Sequence, residues 1–135
     1  MAPSETDLTE NQRTVRVLLA VEATSFFLAA LVHAGLLTQG FEHHEAMIAE
    51  GTIGIVLLLG LAITWIQPRS MFSFAVAVQA FALLGTFVGI FTIAVGIGPR
   101  TVPDIVYHVA IAIVLTSGLV LAVRSRAVES TSQGE

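Results

Sequence analysis

The chain has no cysteine and no lysine, a single tryptophan, a single tyrosine, and only 12% charged residues. Each shortage excludes something. Without cysteine there is no disulfide, no thiolate metal ligand and no thiol nucleophile. Without lysine, and with a net charge of −4, the clustered cations that neutralise a phosphate backbone are missing, so nucleic acid is not an expected partner. A charged fraction half the about 25% of a soluble domain excludes an ordinary soluble fold. No nucleophile–base pair and no phosphate-cradling glycine loop is recognisable, which sets aside hydrolase and kinase chemistry.

What the 135 residues hold instead is apolar length: 55% are hydrophobic. They fall in four stretches, at about 15–37, 45–66, 70–97 and 103–124. Each is near the ~20 residues that carry a helix across a hydrocarbon core. Gly40, Pro68, Ser70, Gly96, Gly98, Pro99 and Pro103 punctuate them as helix caps, stops and starts. The first stretch is longer than a signal-peptide core and carries Glu22 and His33, so it is expected to stay as a membrane span. Residues 1–12 and 126–135 are polar and are expected to be disordered flanks of a transmembrane domain at 13–125. Short connections make successive helices antiparallel, which predicts an all-α, up-down-up-down four-helix bundle in a membrane. Arg13, Arg16, Arg69, Arg124 and Arg126 fall on one side and only Arg100 on the other. This bias predicts cytoplasmic N- and C-termini in a prokaryotic plasma (inner) membrane.

Depth follows from topology at 1.5 Å per residue. His33, His43, His44, Glu45, Glu50, Asp104 and His108 all fall in the external half. Asp104 and His108 are spaced i, i+4 on one face. His43 and Glu50 are seven apart, about 20° from alignment. Ionisable groups are expensive in hydrocarbon, so these side chains should face the bundle interior or a water-filled cavity. Imidazole and carboxylate projecting from facing helices suit a metal such as Zn, Fe or Cu, with His33, Glu50, Asp104 and His108 as ligands. His43 or His44 would be auxiliary. A haem held by His33 and His108 is a variant. A purely structural alternative leaves His43, His44 and Glu45 in a wet loop while His33 and Glu50 hydrogen-bond one another. Redox chemistry at a metal, and an assembly role in a larger membrane complex, both fit such a sequence.

A second polar layer lies deeper. Glu22 has no basic residue at its depth, and Gln79 and Thr116 lie at a similar level, so Gln79 is its natural hydrogen-bond partner. Gly85 and Gly89 form a GxxxG on the third helix, suited to close packing within the bundle or, alternatively, to self-association or another subunit.

Two resemblances follow from these residues. Glu22 in the first of four helices, with Trp65 later in the chain, resembles small multidrug-resistance transporters, which implies a proton-coupled carrier using Glu22. Those proteins form antiparallel dimers with little arginine bias, whereas the bias here is five to one. Over almost the whole chain, Phe41-Glu42 with Ala49-Glu50-Gly51, and Gly98-Pro99-Arg100-Thr101 with Tyr107-His108, resemble small four-span prokaryotic membrane proteins of uncharacterised activity. That resemblance implies the fold, and implies that Glu50, Arg100 and His108 form a unit at the external mouth.

Overall fold

The computed structural model describes residues 5–132. Four α-helices account for almost all of them: α1 (Glu5–His33), α2 (His44–Ile66), α3 (Met71–Val95) and α4 (Val102–Ser132), with a 3-10 turn at Pro68–Ser70 before α3. The helices pack in a ring, α1 on α2, α2 on α3, α3 on α4 and α4 on α1, with only slight contact across the α1–α3 diagonal. Among the described residues there is no strand. All four segments are long and apolar enough to cross a membrane, and the chain is a multi-pass membrane protein.

Each helix turns one narrow stripe inward. On α1 it runs through Val15, Leu19, Glu22, Phe26, Ala30 and His33; on α4 through Asp104, His108, Ile111, Leu115, Ala122 and Ser125. Steps of three and four are the seam of closely aligned helices. Outward faces carry exposed Leu58, Leu59, Leu84, Phe87, Phe91 and Ile113. Polar groups inside and apolar groups outside reverse the soluble pattern, and bulk lipid is the solvent that stabilises such a surface.

The helix limits differ from the expected ones for local reasons. The α1 stop comes at His33 rather than 37, because Gly35 takes φ +71°. Its N–H bonds Val32 O at 2.9 Å and Leu36 N–H bonds Leu31 O at 3.0 Å, the paired bonds of a Schellman motif. Gly96 ends α3 in the same way, with φ +83° and bonds to Ile93 O and Thr92 O. Ser70 precedes α3 but makes no side-chain capping bond.

At the other end, residues 5–12 and 126–132, expected to be disordered, continue α1 and α4. Neither segment contains proline or glycine, and Glu, Gln, Leu, Arg and Ala are good helix formers. Asp7, in the first turn of α1, also complements the helix dipole. Residues 1–4 and 133–135 of the expected flanks lie outside the described residues. The 29 residues of α1 extend about 43 Å, well beyond a hydrocarbon core of about 30 Å. Arg16 ties that end together: its Nη2 donates to Thr64 O at 2.8 Å and its guanidinium lies 4.2 Å over the Trp65 ring. An exposed tryptophan at this level suits the membrane–water interface.

Candidate functional site

The site is built where the α1–α2 and α3–α4 connections meet, and four local structures aim its side chains. The Schellman turn at Gly35 makes His33 the last residue of α1. The loop then returns so that His43 N–H bonds His33 O at 3.0 Å. His43 caps α2, its Nδ1 accepting from Ala46 N–H at 3.3 Å. At the start of α4, Thr101 and Asp104 form a reciprocal capping box. Thr101 N–H donates to Asp104 Oδ2 at 3.2 Å, Asp104 N–H donates to Thr101 Oγ1 at 3.3 Å, and the Thr101 hydroxyl donates to Asp104 Oδ2.

These devices converge on His33. Its Nδ1 lies 2.7 Å from Glu50 Oε2 and its Nε2 lies 3.1 Å from Asp104 Oδ1. All three residues are at most 6% exposed. One imidazole therefore bridges a carboxylate of α2 to a carboxylate of α4. With both carboxylates ionised and His33 protonated, the trio keeps one net negative charge. His108 lies alongside: its Nδ1–H donates to the Asp104 carbonyl at 2.8 Å, which leaves Nε2 as the lone-pair nitrogen, packed toward Gly89. The ring of Tyr107 holds it edge-to-face at 5.5 Å.

Two cavities flank the trio. One, of about 400 Å³, lies among α2, α3 and α4, with Glu50, His108 and His43 in walls otherwise made largely of Phe26, Ile53 and Ile93. The other, of about 430 Å³, lies between α1 and α4 and is lined by Ser25, His33, Phe41, Asp104 and Tyr107. Glu50 Oε1 is buried and has no hydrogen-bond partner.

His33, Glu50, Asp104 and His108 are thus brought together, with His43 beside them, its ring 6.4 Å from that of His33. His44 and Glu45 are exposed. Among the described residues no group of three or more His, Asp or Glu side chains is arranged to hold a metal ion. The donor chemistry gives the reason. Both nitrogens of His33 are committed to carboxylates and Nδ1 of His43 to a helix cap, so His33 has no free nitrogen for a metal or for a haem iron shared with His108. Arg100, expected beside Glu50 and His108, is exposed and folds against Gly96 instead, making no ion pair with Glu50.

In the deeper layer Gln79 Nε2 donates to both oxygens of Glu22, at 3.0 and 3.1 Å, and both residues are fully buried. Thr116 does not join them. It is exposed and bonds its own Ala112 carbonyl at 2.7 Å. Gly118 fills that position on α4, with no side chain to obstruct the pair. The GxxxG glycines are used inside the bundle: a β-carbon at Gly85 would meet Ile53 of α2, and one at Gly89 would meet His108 of α4.

One motif was missed in the sequence: Thr101-x-x-Asp104, the capping box that fixes the Asp104 carboxylate, is legible as a Thr followed three residues later by an acid. No family model, no curated protein and no solved structure matches the chain.

Proposed function

We propose that the protein is a membrane-embedded binding protein whose ligand occupies the cavity among α2, α3 and α4, with Glu50 and His108 as its polar end. The observation that carries this reading is that Glu50, which lines a largely apolar cavity, keeps a buried carboxyl oxygen, Oε1, without a hydrogen-bond partner. Buried polar atoms are almost always paired, and an unpaired one beside room for a molecule marks a recognition point. His33 and Asp104 act as positioning residues, since the relay Glu50–His33–Asp104 anchors the Glu50 carboxylate to the capped start of α4. The arginine bias supports a position for this site toward the external face of a prokaryotic plasma membrane. Glu22 lines neither cavity and its carboxylate is taken by Gln79, so its role is structural rather than that of a proton carrier.

The test is a thermal-stability screen of the detergent-solubilised protein against a panel of small organic molecules, paired with metal analysis and an absorption spectrum. Saturable stabilisation of the wild type, lost when Ala46→Phe fills the cavity, is the expected result. Stoichiometric metal or a Soret band lost in His33→Gln, or no stabiliser across the panel, would overturn the proposal.

A further inference from the structure

Taking that cavity as a ligand site, we infer that its ligand is a protonated amine carried on an apolar body. Glu50 and His108 offer acceptors to the cavity, and the Thr86 and Thr92 hydroxyls spend their protons on backbone carbonyls; the one side-chain N–H in the lining is Nε2 of the half-buried His43, whose Nδ1 accepts from Ala46 N–H. Glu50 Oε1 has no donor, and His108, whose Nδ1–H is spent on the Asp104 carbonyl, offers the lone pair of Nε2. A ligand that completes them must therefore bring N–H or O–H groups.

Charge decides between these. Glu50 and Asp104 share a single imidazole, so with both carboxylates ionised even a protonated His33 leaves one negative charge for a ligand to compensate. Glu45, exposed at the cavity's edge, is another acid, its Oε2 3.5 Å from His43 Nδ1. No arginine lines the cavity; Arg100, the nearest in sequence to its α3–α4 wall, lies over Gly96. An ammonium neutralises this excess, a hydroxyl does not, and a carboxylate or phosphate is repelled. A bare metal ion would find a largely apolar wall, and among the described residues no three His, Asp or Glu side chains are arranged to hold one. An alkylammonium donates to both acceptors and buries its tail against that wall. A volume of about 400 Å³ lies toward the lower end of the roughly 300–1,000 Å³ of small-molecule sites.

The experiment measures saturable binding to the full chain in lipid nanodiscs, against empty nanodiscs, at neutral pH, where an alkylamine is charged. Four probes share one body: phenylbutylamine, phenylbutanol, phenylbutyrate and phenylbutyl-trimethylammonium. The amine is expected to bind at least about tenfold tighter than the alcohol, the margin of a charge-assisted over a neutral hydrogen bond. It is also expected to bind at least about tenfold tighter than the trimethylammonium probe, which has charge but no N–H to donate. Phenylbutyrate should not bind. Glu50→Gln, which keeps a hydrogen bond to His33, should bring amine and alcohol to parity. The wild-type series decides alone if that variant does not fold. An amine no better than the alcohol, with both lost in Ala46→Phe, overturns the amine assignment and leaves the cavity reading standing. No saturable binding by any probe overturns both.

Discussion

Gly118→Ala is the smallest change that should damage this bundle. An added β-carbon would fall on Gln79 Nε2 and stand 2.9 Å from Glu22 Oε1 and 3.2 Å from Gln79 Cδ. Neither side chain can retreat to solvent, since both are fully buried. Gln79 must swing away, which leaves the Glu22 carboxyl without its donor at about 1–3 kcal/mol. Crowding a packed seam adds about 1–3 kcal/mol. The gain in helix propensity from Gly to Ala returns at most about 1 kcal/mol. The net loss is therefore roughly 1–6 kcal/mol, read by reversible unfolding in mixed micelles. A second background isolates the cause. With Gln79→Ala already present the contacts to Gln79 are gone and only the approach to Glu22 Oε1 remains, so Gly118→Ala should then cost much less than in the wild type, giving a strong coupling between the two sites. If Gly118→Ala is neutral or stabilising in the wild type, Gly118 does not hold the place of a side chain beside the Glu22–Gln79 pair, and the reasoning fails.

Two further outcomes are expected. Glu22→Gln should keep an interior hydrogen bond with Gln79 and lose little stability, whereas Glu22→Leu strands the Gln79 amide and should cost about 1–2 kcal/mol in the same unfolding assay; equal losses from both would refute a structural hydrogen bond. The arginine bias predicts that a cysteine at Gln39 reacts with an impermeant thiol reagent on intact cells and that one at Ser70 does not; equal labelling would point to dual topology.

The fold was legible because its signals are one-dimensional. Apolar length gives the helices, glycine and proline give their ends, and short connections give the antiparallel order. The errors at the ends share one cause, the weight given to polarity over propensity. Residues 5–12 and 126–132 are polar, but they are uninterrupted helix formers attached to helices already nucleated by the bundle, so extension costs little. Gly35 was passed over as part of an apolar run although it is the residue that stops α1.

The site was legible in depth and less so in azimuth. Depth accumulates at 1.5 Å per residue, so an error of one residue moves a side chain by a fraction of a turn's height and leaves it in the same slice of the bundle. His33, Glu50, Asp104 and His108 were gathered on that basis, and so were Glu22 and Gln79. Azimuth turns by 100° per residue, and there one position is decisive. Thr116 has the right depth to meet Glu22, but the inward stripe of α4 passes through Leu115, Gly118 and Ala122, and its hydroxyl faces outward. His44 is one residue from the helix cap His43 and is exposed for the same reason. Loop residues have neither coordinate. Arg100 shares the level of Glu50, yet the left-handed turn at Gly96 and the capping box at Thr101 together set where its backbone points, and the guanidinium ends over Gly96. The capping box matters more for Asp104. It holds one carboxylate oxygen on Thr101 while the other meets His33, so a residue in the first turn of α4 also closes the His33 relay. The geometry of a helix start, rather than any metal-ligand spacing, is what brings this cluster together.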